Sequence, residues 1–353
     1  MRVGLVGHPR PGKTTLFRLL TGADASGKQD VSVGSARVPD ERIDFLSDMF
    51  RPKKTTYARI ELVDLTGVRA DRPDGKGFAR LVNHMRTVDA LIHVVRAFEA
   101  LEDGDANPLA DASALTDELI IADMAVAETR MERLRTSRKR TADEDVELAL
   151  MERLSAELGE GRRLREIELA PDEVERLRSY GLLSFKPVVI VANMSEGHLA
   201  SGQYPGREAL QAHCDEHGIP LVELAAQVEA EIAELPEPDR KELMAEYGID
   251  VTGVEQVARA VYDSLGLISF FTVGEDEVRA WPIARGTVAR RAAGKIHSDI
   301  ERGFIRAETI AYSDLKRLGS MVAARSVGLF RLEGKEYVMQ DGDIVNFRFS
   351  PQH

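Results

Sequence analysis

The sequence predicts an α/β fold: a mostly parallel sheet covered by helices on both faces, a helical insertion, and a small α+β module toward the C-terminal end. Three observations support this prediction. Short apolar runs rich in branched residues alternate with helix-compatible stretches, a charged helical stretch interrupts them once, and strand-like segments take over after residue 265. The 353 residues, 43% of them hydrophobic, suffice for about two or three domains.

The first predicted domain is discontinuous and spans residues 1–99 and 180–265. Five apolar runs predict the strands of its parallel sheet. They lie at residues 3–6, 60–65, 91–95, 188–191 and 221–224.

Residues 100–179 are predicted to form a helical arm made of two antiparallel helices joined by the basic turn 137–141. Two interpretations of the arm stay open: a solvated hairpin without a partner, or a basic tip that touches RNA or protein. The apolar stripes are Leu119, Ala122, Val126 and Thr129 on one helix and Met151, Leu154 and Leu158 on the other, and the tip cations are Arg135, Arg138, Lys139 and Arg140.

Residues 267–351 are predicted to form the α+β module, with strands at 268–273 and 277–283, a helix near 287–297 and a last strand within 337–349. Trp281, in one of these strands, is expected to pack in the core.

Composition bounds the partners and the compartment. The net charge of −12 argues against a protein that coats nucleic acid with its whole surface, although a local basic patch is compatible with it. Cys214 is the one cysteine, so no intrachain disulfide forms and a cysteine-rich metal site is excluded. The sequence shows no signal peptide and no apolar run near the roughly 20 residues of a membrane span. We therefore predict a cytoplasmic monomer with no membrane partner.

A phosphate-binding motif follows the first predicted strand. Residues 7–14, Gly-His-Pro-Arg-Pro-Gly-Lys-Thr, fit G-x-x-x-x-G-K-[ST] and precede a helix-like stretch, the context that this motif requires. Gly7 and Gly12 let backbone N–H groups approach phosphate oxygens. Lys13 is expected to neutralise the β- and γ-phosphates, and the Thr14 hydroxyl to ligate Mg²⁺.

A second motif, Asp64-Leu65-Thr66-Gly67, ends another predicted strand. Asp64 can hold Mg²⁺ through water, and Gly67 can turn its N–H toward a γ-phosphate. Together with the phosphate motif, this pattern indicates a switch of the GTPase type. Val68 stands where Ras-like proteins place the glutamine that orients water, so hydrolysis is either very slow or uses another group.

A third motif, Asn193-Met194-Ser195-Glu196, follows a strand where GTPases carry N-K-x-D to read guanine. Met194 replaces the lysine and Glu196 the aspartate, which weakens guanine recognition and favours adenine. An ordinary helix cap built from Ser195 and Glu196 is the alternative.

These residues resemble the Obg-like ATPases of the YchF type, and the resemblance covers nearly the whole chain. The most specific matches are Glu-Val-Arg-Ala-Trp at 277–281, His-Ser-Asp at 297–299 and Gly-Phe-Ile-Arg-Ala-Glu at 303–308. Further matches lie at 4–17, 38–54, 64–67, 88–99, 181–196 and 331–343.

The resemblance implies a P-loop G domain interrupted by the arm and followed by a β-grasp TGS domain. It also implies ATP preferred over GTP, Mg²⁺, and association with ribosomes or RNA through the TGS domain and the arm. The loop 225–227 matches the family's base-contacting loop. By the same matching, the phosphate-binding residues are Arg10, Pro11, Gly12, Lys13, Thr14 and Thr15, the metal ligands Thr14 and Asp64, and the adenine-reading residues Asn193, Met194 and Glu196.

The sequence departs from the family at three places. Arg10 and Pro11 replace the family's usual loop residues, and the first switch is shortened to 26–32, with Ser32 as the hydroxyl near its end. The histidine that the family is proposed to use in catalysis has no counterpart within 100–111. We therefore expect a divergent paralogue that binds nucleotide but turns it over slowly, since losing one transition-state contact costs about 10² to 10³ in rate.

Three functions remain open: a slow ATPase acting as a ribosome-bound switch, a true GTPase, and a nucleotide-sensing module without useful hydrolysis. Two side-chain expectations complete the prediction. His93 is expected to be a core histidine rather than a catalytic one. The acidic segment 229–234 is expected to be an exposed helix face.

Overall fold

The computed structural model describes residues 1–22, 31–65, 77–99 and 104–350. The chain divides into two compact units, one formed by residues 1–36 and 61–261 and the other by residues 37–60 and 262–353. Compactness thus groups the arm with the first sheet, and it groups residues 37–60 with the C-terminal module. The three-part division drawn from sequence stays a prediction.

The strands and helices alternate through most of the first unit, as the sequence predicts. The strands are β1 Arg2–Val6, β2 Ser32–Arg37, β3 Lys54–Thr56, β4 Arg59–Asp64, β5 Ala90–Ala97, β6 Val188–Met194, β7 Leu221–Leu224, β8 Leu267–Thr272, β9 Glu277–Ala284, β10 Phe304–Ala311, β11 Arg331–Glu333 and β12 Asp343–Phe349. The helices are α1 Lys13–Thr21, α2 Glu41–Phe50, α3 Gly77–Arg86, α4 Pro108–Thr136, α5 Ala142–Gly159, α6 Pro171–Leu177, α7 Glu196–Ser201, α8 Arg207–Glu216, α9 Ala226–Glu234, α10 Glu237–Glu246, α11 Gly253–Ser264, α12 Ala289–Ile296, α13 Ser298–Arg302, α14 Tyr312–Leu318 and α15 Met321–Ser326.

The first sheet has the order β2-β4-β1-β5-β6-β7. The pairs β4–β1, β1–β5, β5–β6 and β6–β7 are all parallel, which confirms the predicted parallel sheet. All seven residues of β6 are buried, as expected for a central strand covered on both faces. The carboxyl ends of β1, β4 and β6 lie at one edge of this sheet, and the three sequence motifs begin there.

The arm is a hairpin of α4 and α5. Leu119, Met151, Leu154 and Leu158 are buried as predicted, but Thr129 is exposed. Asp123 takes a buried place instead. Its carboxylate accepts hydrogen bonds from the backbone N–H groups of Leu183 and Ser184, at 2.8 and 2.7 Å. A stripe read from apolar residues alone misses such a satisfied buried carboxylate.

The second unit contains a sheet of order β11-β10-β12-β8-β9-β3. The predicted strands and helix of the C-terminal module are present as β8, β9, α12 and β12, and the short β3 pairs in parallel with β9. Trp281 lies at the margin of the core: it stacks on Phe270 at 6.2 Å and donates its indole N–H to Thr272 at 3.0 Å. Among the described residues, no helix combines the length and apolar character needed to cross a bilayer.

Candidate functional site

The loop between β1 and α1 has a backbone shape that requires glycine at two positions. Gly7 has φ 143° and Gly12 has φ 95°. A Cβ at Gly7 would lie 2.3 Å from the Val94 carbonyl oxygen, and a Cβ at Gly12 would lie 2.3 Å from Nδ2 of Asn193. Arg10 also adopts a left-handed backbone, at φ 66°, which is unusual for a residue with a side chain. The loop is therefore held in a specific open curve.

The first turn of α1 faces the same space with its N–H groups uncapped. Gly12 is the N-cap, no side chain accepts a hydrogen bond from the first turn, and that turn carries no acidic residue. The N-terminal N–H groups of a helix carry partial positive charge and bind anions. Lys13, Thr14 and Thr15 form this turn, so the structure leaves their N–H groups without a side-chain cap.

Lys13 is buried beneath the loop. Its Nζ donates hydrogen bonds to the carbonyl oxygens of Gly7 and His8, at 2.8 and 2.5 Å. Burial lowers the pKa of Lys13 to about 8, and the negative charge of Asp64 partly opposes this shift. Two carbonyl oxygens compensate poorly for lost hydration, so the ammonium group gains from an anion placed above it.

Asp64 is buried at the carboxyl end of β4, where it pairs in register with Leu5 of β1. It therefore lies close in the sheet to the start of the phosphate loop. Ser32 is the first residue of β2. Gly67, Val68 and residues 26–30 of the first switch lie outside the described residues.

Asn193 joins the phosphate loop to the start of α9. Its buried side chain donates from Nδ2 to the Pro11 carbonyl oxygen at 2.9 Å and accepts at Oδ1 from the Ala226 N–H at 2.9 Å. Both faces of the amide are thus satisfied inside the protein. The structure brings the first and third motifs together through this one residue.

The residues after Asn193 combine both interpretations of the third motif. Met194 is buried, and the Ser195 side chain caps α7 by accepting from the His198 N–H at 3.3 Å. Glu196 begins α7, and its Oε1 accepts a hydrogen bond from the Tyr247 hydroxyl at 2.5 Å. A helix cap is present, and the Glu196 carboxylate still projects beside Asn193's segment as a polar group.

His93 lies buried in β5, as predicted, but its Nε2 has no hydrogen-bond partner among the described residues. Burial lowers its pKa to about 3, and nearby His8 and Lys13 add to the shift. His93 is therefore neutral at physiological pH.

The expectation for the acidic segment 229–234 is wrong at Glu229. This residue is buried and accepts hydrogen bonds from the N–H groups of Gly253 and Val254, at 2.6 and 3.1 Å. Sequence reasoning also missed Tyr247, which carries no local motif. Ala226 was accessible to it only through the resemblance of the loop 225–227.

Comparison with known proteins agrees with this geometry. The family model of the 50S ribosome-binding GTPase matches residues 2–130, and the YchF-GTPase C-terminal family, described as a protein of unknown function (DUF933), matches residues 267–350. The chain is 37% identical to the ribosome-binding ATPase YchF of Bacillus subtilis, with 99% of each chain covered. It is 34% identical to Obg-like ATPase 1 of Oryza sativa subsp. japonica, covering 99% of this chain and 92% of the relative.

A solved structure gives the same result for the fold. The Schizosaccharomyces pombe YchF GTPase superposes with a TM-score of 0.89 at 32% sequence identity, covering 99% of this chain and 97% of the other. This likeness confirms the predicted α/β fold with its P-loop G domain. Because the sequence similarity extends over the full length, the chain belongs to the YchF and Obg-like ATPase family.

Proposed function

We propose that this protein binds ATP in preference to GTP, hydrolyses it slowly or not at all, and acts as a switch that associates with ribosomes. The observation that carries the proposal is the curved loop of residues 7–12 over a buried lysine, next to an uncapped helix N-terminus. Such a surface attracts a polyphosphate and repels few other groups.

The phosphate-binding residues of this proposal are Arg10, Pro11, Gly12, Lys13, Thr14 and Thr15, with Gly67 as a second-switch contact. Gly12 allows the close approach, the first turn of α1 offers N–H donors, and Lys13 supplies a positive charge at neutral pH. Pro11 donates no N–H, but its carbonyl anchors the loop to Asn193.

Thr14 and Asp64 fit a magnesium site in their chemistry. A hydroxyl and a carboxylate are oxygen ligands of the type that Mg²⁺ prefers, and the ion keeps several waters and phosphate oxygens in such sites. Asp64 is buried at the end of β4, where the sheet register brings it toward β1. When bound, Mg²⁺ neutralises part of the phosphate charge.

The base-reading residues of the proposal are Asn193, Met194 and Glu196. Asn193 orients the loop, Met194 supplies an apolar surface, and Glu196 offers a carboxylate that accepts hydrogen bonds from an amino group.

Slow hydrolysis follows from what the chain lacks at positions known from sequence. Val68 cannot orient water, and residues 100–111 contain no histidine. His93 does not substitute, because its buried imidazole has a pKa of about 3 and is fixed in β5. A single-turnover assay with radiolabelled ATP tests this part, and hydrolysis at several turnovers per second would contradict it.

Ribosome association draws support from the names of the relatives and from the arm. At its tip, Arg135 pairs with Glu152 and Arg140 with Asp145, whereas Arg138 and Lys139 have no ion-pair partner within the described part of the chain. We propose that the arm and the C-terminal TGS-like unit contact ribosomal RNA, and that the protein is a cytoplasmic monomer. Co-sedimentation with ribosomes, with and without ATP, tests this, and absence of binding in both states contradicts it.

A further inference from the structure

We propose that Tyr247 is a positioning residue that sets the preference for ATP over GTP by holding the carboxylate of Glu196. This inference deepens the proposed function and rests on Glu196 reading the base. The observation behind it is the hydrogen bond from the Tyr247 hydroxyl to Glu196 Oε1, at 2.5 Å, across 51 residues of sequence.

Tyr247 is held in place by the end of α10. Its N–H donates to the Leu243 carbonyl at 3.1 Å, and the next turn is closed by Ile249 N–H donating to the Met244 carbonyl at 2.8 Å. Its ring packs against a small apolar cluster that contains Ala225, Val228 and Ile232. The hydroxyl therefore reaches Glu196 from a packed ring rather than from a mobile side chain.

The same cluster fixes the partner of Asn193. Ala225 belongs to the cluster, and the adjacent Ala226 donates its N–H to Asn193 Oδ1. The packing of α9 against α10 thus supports two contacts with the base-reading motif, one at Asn193 and one at Glu196. A device that positions both residues is placed to control which base fits.

The two purines differ in what they ask of a carboxylate. Guanine presents two adjacent donors on one edge, N1–H and the 2-amino group, and a free carboxylate accepts both in its plane. Adenine presents one donor there, the 6-amino group, beside an acceptor nitrogen. With Tyr247 bound to Oε1, Glu196 has one oxygen left for an in-plane donor, which suits adenine and leaves a guanine donor unpaired. An unpaired donor in a binding site is a strong source of rejection.

Tyr247 keeps its proton over the physiological range. The hydrogen bond to Glu196 is the main cause that raises the pKa of Tyr247 to about 12. The hydroxyl is therefore a permanent donor, and it competes with guanine for the carboxylate at every pH relevant to a cell.

The test is Tyr247→Phe in the full chain, which removes the hydroxyl and keeps the ring in its cluster. Dissociation constants for ATP, GTP and inosine triphosphate are measured by calorimetry with Mg²⁺. Inosine triphosphate carries the N1–H of guanine but lacks the 2-amino group. In the wild type we expect GTP and inosine triphosphate to bind alike, because the second donor finds no acceptor.

In Tyr247→Phe we expect GTP to gain about 3- to 10-fold over both ATP and inosine triphosphate, the worth of one hydrogen bond. Tyr180→Phe is the matched control, since Tyr180 also donates to a carboxylate, that of Glu147, but on the arm. The control should change no ratio.

Unchanged ratios in Tyr247→Phe, with all three nucleotides binding, overturn the inference and leave the proposed function standing. Wild-type protein that binds no nucleotide overturns the proposed function instead. A uniform loss of affinity for all three nucleotides also overturns the inference, because it shows a structural role without base selection.

Discussion

The two ends of the candidate site are built in opposite ways. The phosphate end comes from consecutive residues, Gly7 to Thr15, whose backbone shape and helix start do the work. The base end is assembled from contacts that span 182 residues from Pro11 to Asn193, 33 from Asn193 to Ala226 and 51 from Glu196 to Tyr247. The comparison teaches that affinity in this protein is encoded locally, whereas selectivity depends on the fold around α9 and α10.

Asn193 is the point where the two ends meet. It holds the Pro11 carbonyl, and a Cβ on Gly12 would strike its amide. Variants at this junction should therefore affect both ends, and variants at either end alone should affect one property. The predictions below use this difference.

The largest effect is expected for Lys13→Ala. Removing the ammonium group takes away charge-assisted contacts worth about 1.5–3 kcal/mol each, so affinity for ATP and GTP should fall about 100-fold. The ratio of the two affinities should not change, because the phosphate end does not read the base. Calorimetry checks both, with Lys139→Ala, an exposed lysine of the same unit, as the control. A change in the ratio would break the proposed separation.

A smaller loss is expected for Gly12→Ala. The new Cβ meets Asn193 Nδ2 at 2.3 Å, and the residue must keep φ at 95°. Strain of about 1–3 kcal/mol predicts a loss of roughly 10- to 100-fold for both nucleotides. Gly202→Ala is the matched control, because Gly202 also has positive φ, at 64°, but open space around it. Equal effects of the two variants would show that backbone strain alone is responsible.

Asn193→Ala should reduce affinity for both nucleotides about tenfold, since it leaves the Pro11 carbonyl and the Ala226 N–H without partners at about 1–3 kcal/mol. Unlike Lys13→Ala, it should also lower the melting temperature. Thermal unfolding and calorimetry measure the two effects, and Asn83→Ala, at an exposed position of α3, is the control. Full affinity in the variant would mean that the two ends are not coupled.

The smallest effect is a pH dependence. The pKa of Lys13 is about 8 in the free protein, and a bound polyphosphate raises it. The lysine is charged at pH 7 in both states. Above pH 8 the free protein must take up a proton on binding, so affinity weakens as pH rises, by about fourfold between pH 7 and 8.5. Lys13→Arg stays charged and should abolish this trend. A trend that persists in Lys13→Arg would assign it to another group.

Much of the fold could be predicted from sequence, because buried parallel strands appear as continuous apolar runs. The polar β2, Ser-Val-Gly-Ser-Ala-Arg, and the three-residue β3 escaped prediction. β3 is a strand because it pairs with β9, where Lys54 lies opposite Glu277. No local pattern encodes such a pairing.

The site divides in the same way. The phosphate loop has a motif with a fixed spacing, and the structure keeps its two glycines at positive φ. Glu229 was expected to be exposed but is buried, because Gly253 and Val254 supply two N–H donors from a distant segment. Tyr247 gives no signal in the sequence for the same reason: its role exists only after α10 has packed.

The most direct test of the central claim is a calorimetric titration of the purified, full-length protein with ATP and with GTP in the presence of Mg²⁺. The account predicts that both nucleotides bind and that ATP binds more tightly. Absence of binding by either at millimolar concentration would contradict the phosphate site, and tighter binding of GTP would contradict the assignment of Asn193, Met194 and Glu196 as adenine-reading residues.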